Sequence, residues 1–380
     1  MLQTGIVGIG NTGNQIALLA HNKMDIPVIA INSSEKDLDS LPNNIPKRLL
    51  KDKTGLSLGA GKDRLTAKTL LKESLNSILS DQEIISTLKN LDVLFVISST
   101  GGGTGSGTAP LMYEILSKTF RDVKVILVGV LPTIDETLDS QLNTIGYLKE
   151  VYKTLENPTY MLYDNGKLNV PYHELLQKVN NEIIEDIDVI RCKYNFTTSL
   201  DSIDDKDAMR ILSTPGRLVV SRTTGLKDKD IEISDNIEST IINNVKKSAH
   251  VELQRDKHVD TRGLIANMSQ DLSEMFNTSM PKLTEATGEP LHSFKHISIN
   301  EDNEPNNIFV IMSGMSFIKD RLDTIGARVE AIQEASKAKA EMDDDIFNLA
   351  SELQNSIGYD DDDDDDDGTI NASDIFSKFM

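Results

Sequence analysis

The sequence predicts an α/β fold, with a Rossmann-like parallel sheet joined by one long central helix to a smaller α+β domain. Three observations predict it. Through the first 170 residues, β-branched apolar runs alternate with segments of helical period, the pattern of a parallel sheet built from strand–helix–strand units. From Tyr172 to about Arg191, Leu176, Val179, Ile183, Ile187 and Ile190 recur every three or four residues, which makes one long amphipathic helix. Beyond Gly216 that regular alternation gives way to a mixed order of strands and helices.

Thr4-Gly5-Ile6-Val7-Gly8-Ile9 is an apolar run of strand length. Gly8-Ile9-Gly10-Asn11-Thr12-Gly13-Asn14 leads from it into a helix carrying Ile16, Leu18 and Leu19. Such a G-x-G-x-x-G exit also opens dinucleotide-binding folds. The next strand, Val28 to Ile31, closes on Asn32-Ser33-Ser34, where a dinucleotide enzyme needs an acid for the ribose 2′-OH. A nicotinamide-dependent oxidoreductase is therefore disfavoured. Leu58-Gly59-Ala60-Gly61-Lys62-Asp63 is a small-residue turn ahead of a helix with Leu70, Leu71, Leu75 and Ile78. Lys62 could meet phosphate charge or simply be solvated.

Val93 to Ile97 is a strand, and residues 101–107 after it hold five glycines in seven positions, Gly-Gly-Gly-Thr-Gly-Ser-Gly. A helix with Leu111, Met112, Ile115, Leu116 and Phe120 follows, and Pro110 is expected near its start, where a missing N–H costs nothing. Glycines permit positive φ and leave no Cβ to hold a ligand away. Successive N–H groups of such a turn, aimed along a helix N-terminus, form a phosphate cradle. No Lys follows the glycines, so this is not a G-x-x-x-x-G-K-[ST] loop. Val123 to Leu131 and Thr159 to Tyr163 are further strands, the first ending at Pro132-Thr133 and the second at Asp164-Asn165-Gly166-Lys167.

The Gly-Gly-Gly-Thr-Gly-Ser-Gly run, bracketed by strand and helix, resembles the signature of the tubulin and FtsZ superfamily of GTPases. The resemblance covers about residues 4 to 210, and more weakly the rest to about 340. It implies GTP or GDP as ligand with Mg²⁺ on the phosphates. It also implies nucleotide contacts from Gly10, Asn11, Thr12, Asn14 and Asn32, and from the Gly59-Ala60-Gly61 turn by the terminal phosphate. Gly101, Gly102, Gly103, Thr104, Gly105 and Ser106 would hold phosphates, and Glu136 and Asn143 would touch the ribose. Asn165 and Asn181 match the family's guanine-facing asparagines, with Asn180 as the register alternative; an amide both donates and accepts, as a guanine edge requires.

Past the long helix, residues 201–207 hold four aspartates. They could sit at a helix N-terminus, favoured by its dipole; a Ca²⁺ loop would need a Gly and a terminal Glu that are missing. FtsZ-type proteins carry Asn-x-Asp-x-x-Asp here, and Ser202-Ile203-Asp204-Asp205-Lys206-Asp207 keeps both acids with Ser in place of Asn. By that resemblance Asp204 and Asp207 are the catalytic pair. Phosphoryl transfer to water needs the nucleophile held in line, yet acids fixed beside a triphosphate are repelled by it. Delivery from the next subunit of a head-to-tail polymer removes that conflict, and such contacts generate filaments.

The chain divides into residues 1–171 (GTP-binding domain), 172–197 (central helix), 198–318 (activation domain), 319–357 (C-terminal helices) and 358–380 (acidic disordered tail). Its histidines do not fall at metal-ligand spacing, and no metal site held by protein side chains is expected. One cysteine, Cys192, and no exported leader or membrane-length apolar run fit a cytoplasmic protein. A net charge of -21 disfavours direct contact with nucleic acid. Asp360 to Asp367 is an unbroken acidic spacer, and Ile375, Phe376 and Phe379 beyond it suit docking to a basic, DNA-bound adaptor. The run Glu35-Lys36-Asp37-Leu38-Asp39-Ser40-Leu41, and Ile134-Asp135-Glu136 where FtsZ has Pro-Phe and Glu-Gly pairs, resemble TubZ-like plasmid and phage tubulins. The expected function is a polymerising GTPase that segregates plasmid or phage DNA, with an FtsZ-type division ring as the alternative.

Overall fold

A computed structural model describes residues 1–55, 57, 59–168, 170–191, 199–201, 203–227, 234–254, 257–301, 304–340 and 377–378. Expectations for Cys192, Ser202, the second C-terminal helix, the acidic run, and Ile375, Phe376 and Phe379 lie outside them.

In chain order the first half contains β1 (Thr4–Ile9), α1 (Gly10–Met24), β2 (Val28–Asn32), α2 (Glu35–Asp39), β3 (Lys47–Leu49), α3 (Arg64–Leu79), α4 (Gln82–Leu88), β4 (Val93–Ser99), α5 (Gly103–Thr119), β5 (Lys124–Leu131), α6 (Leu138–Lys149), β6 (Thr159–Asp164) and α7 (Tyr172–Ile190). The second half contains β7 (Ser199–Asp201), α8 (Asp205–Ser213), β8 (Gly216–Leu226), α9 (Ser234–Lys247), β9 (Thr261–Met268), α10 (Gln270–Met275), α11 (Pro281–Thr287), β10 (His292–Ile299), β11 (Asn306–Met315) and α12 (Lys319–Ala340). The strands form one sheet in the order β3-β2-β1-β4-β5-β6-β8-β11-β9-β10-β7. From β3 to β6 every pairing is parallel. Only Thr159 and Tyr160 of β6 pair with β8, and there the sheet turns mixed, with β11 antiparallel to both β8 and β9.

Strand side chains alternate between two layers, as the pleat dictates. Val7 and Leu94 face a core shared with α3, α5, α6 and α12, whereas Ile6 and Phe95 face one shared with α1 and α7. Helices thus cover both faces of the parallel half, which is why its strands read as continuous apolar runs. A third core lies between α9, α10, α11 and strands β8 to β11. Among the described residues no helix is long and apolar enough to cross a membrane.

Two expectations shift. The Gly8–Asn14 exit from β1 is itself mostly helix: α1 begins at Gly10, directly after β1. It can do so because Gly8 and Gly13 carry no Cβ. A Cβ on Gly13 would run into the Ile97 carbonyl of β4, and one on Gly8 into the Gly13 carbonyl. Likewise α5 starts within the glycine run at Gly103, so Pro110 lies in the helix interior rather than near its start.

Gly13→Ala should therefore lower stability by about 2 kcal/mol or more, the scale of overpacking against an unyielding backbone. Urea denaturation checks it: a lower midpoint with an unchanged slope is expected, and a midpoint equal to the parent's would refute the contact.

Candidate functional site

At the C-terminal ends of neighbouring parallel strands β1 and β4, helices α1 and α5 begin side by side. Gly10 takes φ +71°, and a Cβ on it would lie 3.2 Å from the Gly105 nitrogen. Neither helix has a side-chain N-cap, and neither has an acid in its first turn. The neighbouring helices differ: Asp63 caps α3 and Thr137 caps α6. Two adjoining helix starts thus present uncapped N–H groups and the positive ends of two dipoles, an arrangement that favours an anion.

The sequence-predicted residues differ in what engages them, and Asn181, bonded to Lys23 in the last turn of α1, stands away from the paired helix starts. Asn14 is 2% exposed, and both of its amide atoms are buried without a hydrogen-bond partner; Asn165 is 9% exposed with its Oδ1 likewise unpartnered. Orphaned polar atoms of this kind are costly, and a ligand would satisfy them. Asn11 is exposed and Thr12 half-buried on the first turn of α1. A second group is engaged within the protein. Asn32 donates to Asp37 Oδ2 (3.3 Å) and accepts from the Ser34 N–H, while Thr104 shares a 2.7 Å hydroxyl contact with Ser33. Ser106 Oγ donates back to the Gly102 carbonyl, Glu136 Oε1 accepts from the Thr133 N–H, and Asn181 Oδ1 accepts from Lys23 Nζ at 2.7 Å.

Asn143 forms a brace. Buried on α6, it donates Nδ2 to the carbonyls of Lys62 (2.8 Å), Gly101 (3.2 Å) and Gly102 (3.4 Å), tying the Gly59-Ala60-Gly61 turn to the glycine run. In that turn Gly59 and Gly61 take φ +81° and +54° with nothing near their missing Cβ atoms, so the left-handed backbone alone calls for glycine. Asn165 is held from below. Arg321 of α12 donates Nε and Nη2 to the Asp164 carboxylate (2.6 and 3.0 Å) and Nη2 to the Pro132 carbonyl (2.9 Å). Asp164 in turn accepts from the Gly166 N–H at 2.8 Å.

Pro110 has no N–H for the Ser106 carbonyl four residues back. Arg64 fills that place, donating Nη2 (3.0 Å) and Nε (3.3 Å) to Ser106 O. Its Nη2 also reaches Glu150 Oε2 at 2.6 Å, and Lys68 Nζ reaches Glu150 Oε1 at 2.7 Å. Burial pulls the Lys68 ammonium below its usual pKa, with Glu150 opposing the shift. Sequence reasoning missed this network; only the start of α5 at Gly103 reveals that Pro110 leaves a carbonyl to be matched.

Asp204 and Asp207 stand elsewhere. Asp204 is the N-cap of α8, accepting from the Asp207 N–H at 2.8 Å; it is exposed, and Asp207 is half-buried. Ile203 lines a small apolar pocket with Ile190, at the end of α7. The next residue, Arg191, accepts at its carbonyl from the Leu2 N–H, just ahead of β1. Helix α7 runs back along the sheet for roughly 28 Å at 1.5 Å per residue. The acids therefore sit at the end of the parallel strands opposite the cradle. Among the described residues no group of three or more His, Cys, Asp or Glu could hold a metal ion.

A parallel α/β sheet with paired, uncapped helix starts on glycine turns defines a protein of the nucleoside-phosphate-binding class. Residues 3–170 match the family model described as "Tubulin/FtsZ family, GTPase domain". It is 25% identical over 235 residues to the tubulin-like protein CetZ of Pyrococcus horikoshii, covering 60% of this chain and 63% of that one. It is 28% identical over 163 residues to the tubulin-like protein TubZ of Clostridium botulinum C phage, covering 41% and 42%. The alignments thus span less than two thirds of either relative. A GTPγS-form protofilament of Bacillus thuringiensis serovar israelensis TubZ shares the fold, with TM-score 0.67, 18% identity, and 90% and 95% of the two chains covered.

Glu150→Gln should destabilise the protein by about 3 kcal/mol, because it strands the buried Lys68 ammonium and takes a partner from the half-buried Arg64. Chemical denaturation checks this, and a loss under about 1 kcal/mol would mean that Arg64 and Lys68 need no carboxylate.

Proposed function

We propose that the chain binds GTP at the α1–α5 cradle and polymerises head to tail, each nucleotide being hydrolysed with acids from the adjoining subunit. One observation carries the reading: the phosphate cradle and the Asp204–Asp207 pair lie at opposite ends of the parallel strands. A head-to-tail stack brings the acid-bearing end of one molecule onto the cradle-bearing end of the next. The family match to a GTPase domain and the protofilament form of a structural neighbour support it.

In the assembled site, N–H groups of residues 10–12 and 103–106 hold the phosphates. Asn14, Asn165 and Asn181 are the candidates for the rest of the nucleotide, with Asn143 bracing the loops. Asp204 and Asp207 orient a water in line with the terminal phosphorus. A bond forms from the water oxygen to that phosphorus, the bond to the oxygen bridging to the β-phosphate breaks, and GDP and phosphate leave. Mg²⁺ arriving with the nucleotide would neutralise phosphate charge. Both acids are available in the isolated protomer, one exposed and one half-buried, so completion of the site waits on contact between copies.

At a finer level, the acidic C-terminal stretch and the resemblance to TubZ favour a filament that moves plasmid or phage DNA through a basic adaptor. A second reading, consistent with the longer alignment to the tubulin-like protein CetZ, leaves the filament with no plasmid or phage DNA to move. Stable inheritance of a test plasmid carrying the gene, lost when residues 358–380 are deleted, supports the first; inheritance independent of the gene supports the second.

Asp204→Ala and Asp207→Ala should each yield filaments that persist by light scattering while phosphate release falls at least 100-fold. Unchanged turnover in both variants would remove the acids from the chemistry.

A further inference from the structure

Among the described residues, Arg217 has the largest fully buried side chain, with 1% of the residue exposed. It stands at the seam of the sheet, where its register partners are Tyr160 of β6 on one side and Met315 of β11 on the other. A guanidinium carries five N–H bonds. Nε donates to the Ser316 carbonyl (3.2 Å), and Nη1 to the carbonyls of Val251 (2.8 Å) and Glu252 (3.3 Å). Nη2 is buried with no hydrogen-bond partner. Burial pushes Arg217 down to about 10, which still leaves it charged at neutral pH. Its three partners are neutral carbonyls, and among the described residues no carboxylate pairs with it.

A buried cation held only by neutral groups is costly, and two unspent N–H bonds add to the cost. Arg217 lines a small cavity with Lys257, His258, Thr287 and Ser316 among others. The centre of a water-sized sphere has about 10 Å³ there in which to move, room for one water or one monatomic ion. With Nε and Nη1 committed to carbonyls, Nη2 is the edge of the guanidinium left to face this space. No Asp or Glu is among the described residues that line it. Lys257 and His258 are exposed, so solvent reaches the cavity past a basic rim. There Lys257 Nζ donates to the neutral Glu285 carbonyl (2.6 Å), and His258 Nε2 lies 3.0 Å from Asp260 Oδ1. A water would satisfy the free N–H bonds and leave the charge unmatched. An anion does both.

We infer that this cavity binds one small inorganic anion, chloride in ordinary salt, on Arg217 Nη2. A tetrahedral oxyanion such as phosphate, with five heavy atoms, exceeds the space. The site shares no residue with the α1–α5 cradle and does not rest on the nucleotide reading. Its occupant closes a junction, because Arg217 ties together the start of β8, the chain after α9 and the link from β11 into α12. Bound only by the folded protein, the anion stabilises the fold by mass action.

Urea denaturation of the full chain, without nucleotide, tests this when chloride replaces gluconate, an anion too large to enter, at fixed ionic strength. From zero to about 0.2 M chloride the folded-to-unfolded ratio of the parent should rise about fivefold or more. Arg217→Met occupies similar space without the charge and should show no such rise. A second measurement does not depend on that variant folding: crystals of the parent soaked in bromide should show an anomalous peak beside Arg217 Nη2. A chloride response absent from the parent, or equal in Arg217→Met, overturns the inference. So does a bromide-soaked crystal without that peak, in which water alone fills the cavity.

Discussion

The close approach of the first turns of α1 and α5, Gly10 against the Gly105 nitrogen, is the constraint on which the rest of the structure depends. Two helix starts with like partial charge repel one another, and their N–H groups are left without side-chain caps. Nothing in the contact itself repays that cost. What holds it is the surrounding lattice: β1 and β4 in continuous parallel register from Thr4 with Val93 to Ile9 with Ser98, Gly8 and Gly13 letting α1 seat on the sheet, and the Asn143 amide fastening two loops at once. Arg64 mends the break that Pro110 leaves in α5, and Glu150 anchors Arg64 in turn. The ion cluster between α3 and Glu150, the residue just past α6, thus serves the geometry of a helix to which none of its members belongs.

The second half of the molecule gains its meaning from α7. This helix follows the turn carrying Asn165 and ends beside the start of β1, so it links the two ends of the parallel sheet through one rigid element. Its buried stripe, Val179, Ile183, Ile187 and Ile190, fixes its rotation against the sheet. The opposite arrangement, with the acids beside the cradle in one molecule, would set carboxylates against phosphate charge before any nucleotide could bind. Separation removes that repulsion from the isolated protomer and confines it to the proposed contact between copies.

Much of this was legible in the sequence. The strands β1, β2, β4, β5 and β6 stand out as apolar runs, and α7 by its period, because burial on both faces or on one stripe leaves a pattern that local reading detects. The glycines of the cradle were legible because positive φ and close approach admit few other residues. What escaped was tertiary. Asn143 looks like any polar residue on a helix, yet it is buried and shared among three carbonyls; Arg64, Lys68 and Glu150 look like solvated charges spread over 86 residues. Short elements such as β3, α10 and α11 escaped as well, since their few residues carry no full period. Pro110 misled because its usual place at a helix start is correct for an unsupported helix, and here a guanidinium supplies the support.

The most direct measurement is GTP turnover per molecule across a range of protein concentrations, with light scattering recorded alongside. An active centre divided between stacked copies predicts near-zero turnover below a threshold concentration and a rise that begins where scattering begins. Turnover per molecule that stays constant from dilute to concentrated protein would contradict it.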